Sequence, residues 1–151
     1  MPTIHIGSDH RGRDLVIEIQ QQLNDLYNIV LHIPDVQVTS CDYPEITNKV
    51  CEAMEENDWG ILICGTGIGM DVAANKHKKN IIAARCTTLD EVKLSREHNN
   101  ARILCLGAYS LKKQNITTKI ICEWIKSFIQ TQTSMLIRHQ RRRKRVNRYR
   151  S

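Results

Sequence analysis

Aromatic residues are scarce in this 151-residue chain: one phenylalanine, two tryptophans and four tyrosines, 5% of the whole. So thin a supply gives no platform for stacking nucleobases. No apolar run reaches the ~20 residues a membrane-spanning helix needs. The opening "MPTIHIGSDHRG" also lacks the basic start and apolar stretch of a secretory signal, so the expected location is cytoplasmic. The six cysteines, at 41, 51, 64, 86, 105 and 122, form no CxxC pair, and neither an HExxH nor a paired Cys/His spacing occurs. The sequence therefore offers no metal site, and its thiols read as reduced and mostly core. No Gly-Lys-Ser/Thr triplet closes a P-loop. The G-x-G-x-x-G of dinucleotide folds is missing after the first strand, so no organic cofactor is indicated.

What is present is the composition of a folded domain. A hydrophobic content of 41% with 25% charged residues is ordinary for a globular chain, and the length suits a single domain over 1–151 with a real core. The net charge of +6 is concentrated at one end: Arg138 to Ser151 holds eight Lys or Arg and no acid, leaving 14 basic against 16 acidic residues before it. Such a block can meet a polyanion or form a solvated helix end. Without aromatic or zinc modules, nucleic acid is not expected as its main partner.

Along the chain, "TIHIG" reads as a strand followed by "GRDLVIEIQQQLNDL", where Leu15, Ile19, Leu23 and Leu26 recur at helical spacing. "NIVLHI" is a second strand, "YPEITNKVCEAMEE" a helix opened by Pro44, and "WGILIC" a third strand. "NIIAARC" and "ARILCLG" read as the fourth and fifth, separated by the helical "LDEVKLSREHN". "TTKIICEWIKSFIQ" then carries an apolar stripe of Ile120, Ile121, Trp124, Ile125 and Phe128, before a basic helix from about 134 to 151. Five strands alternating with helices predict an α/β, three-layer, Rossmann-like fold on a five-stranded parallel sheet, with ligands beyond the carboxyl ends of the strands. "GSDH", "CGTG", "LGAY" and "SREHNN" are the polar groups expected to collect there.

The third strand runs into "ICGTGIGM", a cysteine ahead of three alternating glycines. Glycines let the backbone turn tightly and approach a ligand, and the first amides of the following helix have no intrahelical partner, so a phosphate or developing oxyanion is favoured there. The same residues also suit a plain strand–helix turn with a packed cysteine, and the spacing leaves both open.

Taken together, "GSDHRGRDL", "DYPEIT", "GILICGTGIGMDVAANK", "SREHNNARILCLGA" and "RHQRR" resemble, in order and over about residues 3–142, the ribose-5-phosphate isomerase B family, which includes the galactose-6-phosphate isomerase subunits. The resemblance implies an aldose–ketose isomerase of the pentose phosphate pathway, acting on ribose 5-phosphate without metal or cofactor, as a homodimer or dimer of dimers. Such a reaction needs a base, an oxyanion cradle and phosphate ligands. By resemblance Cys64 is the base, favoured as thiolate by the helix N-terminus, with Thr66 handling a hydroxyl proton. Gly65, Gly67 and Gly69 present amides to the oxyanion. His98 opens the sugar ring and Asn99 helps hold the reacting oxygens. Asp9, His10 and Tyr43 line the substrate site. Arg138 and Arg142, four apart on a helix face, suit phosphate oxygens. The resemblance further implies that His98, Arg138 and Arg142 complete the site around a neighbouring subunit's Cys64. His5, His32 and His77 match nothing in it and read as structural or surface.

The chain departs from the family pattern at Tyr109, where an arginine is common, at Leu136 and Ile137 in place of glycines, and at Asn100 in place of an acid. These changes leave open a six-carbon substrate such as allose or galactose 6-phosphate. A non-catalytic phosphosugar-binding subunit is the other alternative, against which Cys64, Thr66 and His98 stand.

Overall fold

The computed structural model describes residues 1–35 and 41–150. Five strands, β1 (Thr3–Ser8), β2 (Asn28–His32), β3 (Trp59–Cys64), β4 (Ala83–Arg85) and β5 (Ile103–Gly107), form one sheet in the order β2-β1-β3-β5-β4 with every pairing parallel. β3 and β5 are buried along their whole length and β1 nearly so, as strands covered on both faces must be, while β2 and β4 lie at the edges. The helices are α1 (Arg13–Leu23), α2 (Tyr43–Ala53), α3 (Ile68–Lys76), α4 (Leu89–Asn99), α5 (Ala108–Lys113), α6 (Thr118–Gln130) and α7 (Ile137–Asn147).

Each face of the sheet has its own core. On one, Ile4, Ile6, Ile61, Ile63, Leu104 and Leu106 meet α1 (Val16, Ile19, Leu23), α4 (Val92) and α6 (Ile121, Ile125, Phe128). On the other, Leu62, Ile103 and Cys105 meet α2 (Ile46, Val50, Cys51) and α3 (Met70, Ala74). The single phenylalanine, Phe128, is fully buried and meets Trp59 edge-on at 5.6 Å between ring centres. Burying such a ring contributes roughly 1.5–3 kcal/mol. Arg96 and Arg102 lie over the Trp59 ring at 4.6 and 4.0 Å. Arg96 is spared an uncompensated burial by donating to Ala101 O and Asn100 Oδ1, both at 2.8 Å.

Several sequence expectations shift. Leu26 falls beyond α1 and is exposed, and Ile120 sits at the rim of the α6 stripe instead of inside it. "NIIAARC" forms only a three-residue strand, whose outer edge is closed by Asn75: its amide donates to Ala83 O and accepts from Ala83 N, each at 3.0 Å. α5 has too few apolar residues to show a period and went unforeseen. The basic helix begins at Ile137 and ends as α-helix at Asn147, with a 3-10 turn over Arg148–Arg150; Ser151 lies outside the described residues.

The strand order places the switch of direction between β1, whose chain leaves toward β2, and β3, whose chain leaves toward the other edge. The carboxyl ends of β1 and β3 therefore bound the crevice in which open α/β sheets bind ligands. At the other end of β1, buried His5 bonds Asp58 Oδ2 at 2.9 Å and His32 Nε2 at 3.1 Å, which makes both histidines structural, as expected from their lack of a motif. His77 is structural too, joining Asn48 at 2.9 Å.

Burial, then the neighbouring His5 and Lys49, hold the His32 imidazole below its ordinary value of 6.5. A depressed folded value means that the unfolded chain binds the proton more readily, so this contribution is present above ~6.5 and lost as pH falls through the lower folded value. Urea denaturation from about pH 7.5 down to about 5.5 should show falling stability, with a shallower fall in His32→Asn; equal slopes in the two proteins would exclude His32 as a source.

Candidate active site

β3 ends at Cys64, and the chain must turn at once to begin α3. It does so through Gly67, whose φ of 79° is in the left-handed region. A methyl group on Gly67 would sit 2.9 Å from the Leu106 carbonyl carbon, and one on Gly107 would sit 2.6 Å from the Thr66 backbone. The loop is thus pressed against the end of β5 with no room for a side chain on either glycine. Tyr109 N, at the start of α5, donates to Gly65 O at 3.0 Å, and Arg85 Nε to Thr66 O at 2.8 Å, which anchors the loop further.

This fold of the loop turns the Gly67 amide onto the cysteine: Gly67 N–H donates to Cys64 Sγ at 3.1 Å. The left-handed turn folds that amide back toward the strand end. Ile68 N–H is also engaged, donating to Thr66 Oγ1 at 3.3 Å, and this leaves the exposed Thr66 hydroxyl its own proton to give. Gly69 has a different reason: the Tyr43 ring lies over it, 2.6 Å from where a Cβ would be. Tyr43, at the start of α2, thereby walls the entrance to α3.

From β1, Asp9 is buried and accepts from Arg11 N at 3.0 Å and Gly12 N at 3.3 Å through one oxygen, Oδ1. The Nδ1 atom of His10 is buried with no hydrogen-bond partner among the described residues. Arg11 extends over the loop, its Nη1 atom 3.4 Å from the Cβ position of Gly65. A cavity of about 360 Å³ lies beside it, lined by Arg11, Gly65, Ala108, Tyr109 and Lys112. Neither Arg11 nor Lys112 was singled out by sequence; each looks like any surface cation until β1 and α5 are brought beside β3.

The other cysteines fit the core expectation except Cys41, which is half-buried. Burial, before any neighbouring charge, pushes the Cys51, Cys86 and Cys122 thiols up to about 11, and raises Cys105 well above the ordinary value. Such thiols are inert.

His98 and Asn99 are not beside Cys64. α4 runs back against the parallel strands, so its carboxyl end lies at the foot of β5, whereas Cys64 pairs with Gly107 at the top. Those levels differ by the four residues from Ile103 to Gly107, ~13 Å at ~3.3 Å per residue. The expectation that "SREHNN" gathers with the carboxyl ends of the strands is therefore corrected: an antiparallel helix presents its carboxyl end to the opposite rim.

What α4 does approach is α7. The exposed His98 ring lies 4.2 Å from that of His139, centre to centre. Burial, followed by the charges of His98, Arg138, Arg142 and Arg143, pushes His139 down, which places the two expected phosphate arginines in the same group. Arg143 ties the helices together, donating to His98 O at 3.1 Å and Ser134 O at 2.7 Å. Nothing in "RRRKR" distinguishes it from its neighbours. Asn100 caps α4 with a left-handed φ of 52°, a conformation asparagine tolerates better than most residues. The expected site residues thus fall into two groups: Asp9, His10, Tyr43, Cys64 and Thr66 at the top of the sheet, and His98, Asn99, Arg138 and Arg142 at its foot.

The chain matches the Ribose/Galactose Isomerase family over residues 4–146. It is 36% identical over 151 residues to the probable ribose-5-phosphate isomerase B of Mycoplasma genitalium, covering 97% of this chain and 94% of the relative. It is 37% identical over 110 residues to the ribose-5-phosphate isomerase B of Escherichia coli, covering 72% and 73%. Among solved structures, ribose 5-phosphate isomerase B from Anaplasma phagocytophilum superimposes with a TM-score of 0.84 at 35% identity, covering 97% of both chains.

The packing of the loop is testable by stability alone. Gly67→Ala combines left-handed backbone with a backbone clash and should cost about 2 kcal/mol or more by urea denaturation; a change below about 0.5 kcal/mol would mean that the loop does not need its contact with β5.

Proposed function

The chain belongs to the ribose/galactose isomerase family, and on that premise we propose that it interconverts ribose 5-phosphate and ribulose 5-phosphate with Cys64 as the base. It is an aldose–ketose isomerase. The observation that carries the choice of base is the Gly67 N–H directed at Cys64 Sγ at 3.1 Å. The thiolate takes the C2 proton of the open-chain aldose, and the electron pair left behind forms the C1=C2 bond of an enediolate with its charge on O1. Return of the proton from sulfur to C1, with passage of the O2 proton to O1, completes the ketose. Thr66, whose hydroxyl accepts from Ile68 N–H, is placed to handle that oxygen proton. Asp9 keeps its Oδ2 atom for a sugar hydroxyl, and His10 Nδ1 awaits a partner of the kind a substrate oxygen supplies.

Sugar phosphates rest mainly as rings, and His98 is the residue for opening them, since an imidazole can both give and take a proton. Its place at the foot of the sheet supports a site shared between two copies, in which His98, Asn99, Arg138 and Arg142 of one reach Cys64 of the other. Exposed apolar residues at both half-sites, Ile68 and Val72 on α3 and Met135, Leu136 and Ile137 before and at the start of α7, are surface a second copy would cover. No helix among the described residues is long and apolar enough to cross a membrane. Six free cysteines support a reducing, cytoplasmic compartment.

Cys64→Ala should lower kcat by roughly 10²- to 10⁴-fold while phosphosugar binding persists; turnover near that of the wild type would reject Cys64 as base. Sharing is tested by mixing inactive Cys64→Ala with inactive His98→Ala. A mixed dimer holds one doubly defective site and one intact site, so a fully exchanged equal mixture should recover about a quarter of the wild-type rate. No recovery despite exchange shown by mass spectrometry would place each site within one chain.

A further inference from the structure

Resting on the isomerase reading, we infer that Arg11 and Lys112 hold the substrate's phosphate from the same subunit as Cys64, as contacts additional to Arg138 and Arg142. Three observations converge. Arg11 lies over Gly65, the residue next to the base, with Nη1 3.4 Å from the Gly65 Cβ position, so its charge sits at the mouth of the reacting crevice. Lys112 lines the same cavity of about 360 Å³, whose other walls are Gly65, Ala108 and Tyr109. α5 puts it there: Ala108 and Lys112 are four residues apart and share a helix face, and the Tyr109 N–H bond to Gly65 O at 3.0 Å fixes that helix against the loop.

The charge in this cavity is unopposed. No carboxylate lines it, and neither cation forms an ion pair among the described residues. The nearest acid along the chain, Asp9, has its Oδ1 atom occupied by the Arg11 and Gly12 amides. A guanidinium and an ammonium facing one space without a carboxylate suit a compact dianion, and a phosphate monoester carries a charge of about −1.5 to −2 at neutral pH. A sugar whose C1 and C2 lie at Cys64 extends its far end out of the crevice, and the Gly65 side of the loop is where that cavity opens. Tyr109 contributes a wall but no charge, so the two cations around it supply what position 109 does not.

The test measures binding of inorganic phosphate by calorimetry together with ribose 5-phosphate kinetics, for the full-length protein and for Arg11→Ala, Lys112→Ala, Arg11→Lys and Lys119→Ala. Arg11→Ala and Lys112→Ala should each weaken phosphate binding and raise KM by about tenfold, with kcat changing less than KM. Arg11→Lys should recover part of the loss. Lys119→Ala, which removes the same charge from α6 outside the cavity, should match the wild type. Unchanged phosphate affinity in folded Arg11→Ala and Lys112→Ala would overturn the inference whatever the turnover. Should Arg11→Ala fail to fold, Arg11→Lys and Lys112→Ala report the same quantity. Phosphate affinity that falls as expected in a protein that does not turn over ribose 5-phosphate would uphold the contacts and fault the isomerase reading instead.

Discussion

The contact between the loop after β3 and the end of β5 is the constraint on which the candidate site depends. Gly67 and Gly107 let two stretches of backbone touch where any side chain would hold them apart. That approach leaves Gly67 in the left-handed region, which turns its amide onto Cys64 Sγ. It also fixes the start of α5 on Gly65, and with it Lys112. Loosening this one contact would lose the donor to sulfur, the bond from Ile68 N–H to Thr66 Oγ1 and the wall of the cavity together, because all are consequences of a single backbone path.

A second constraint is the sheet itself. Parallel strands send every connecting helix back the way it came, so whatever ends α4 must lie at the rim opposite whatever ends β3. The protein accordingly places Cys64 and its glycine loop at one rim and a pair of histidines with an arginine-bearing helix at the other. Arg143 and Arg96 cap the carboxyl end of α4 by donating to its terminal carbonyls and to Asn100, so His98 projects from a braced helix end. Within the basic tail Arg143 is a tie between helices, while the charges of Arg138 and Arg142 act on His139.

The layout of the elements was readable from period and punctuation. Apolar runs of strand length alternated with helical stripes, and the glycines after Cys64 marked the tightest turn. Those features are local, and local chemistry sets them: a left-handed φ calls for glycine, and a strand covered on both faces calls for continuous apolar residues. The family resemblance, carried by motifs spread along the chain, drew Cys64, Thr66 and His98 out of a longer set of cysteines, threonines and histidines. Where the reading missed, at α5 and at the short β4, the deciding contacts came from residues distant in sequence, such as Gly65 holding Tyr109 and Asn75 closing the edge at Ala83.

By itself, then, the sequence determined the α/β layering, the thiol placed at a strand–helix junction and the cationic end, since each follows from residues that act on their immediate neighbours. Only the tertiary structure decided that Gly67 gives its amide to sulfur, that Arg11 and Lys112 face one cavity, that Arg143 differs from the arginines beside it, and that the end of α4 lies at the rim opposite Cys64. The reason is physical. Chain spacing sets which residues can share a strand or a helix face, but the distance between two side chains on different elements is set by sheet order and helix direction, which come from how the two cores pack.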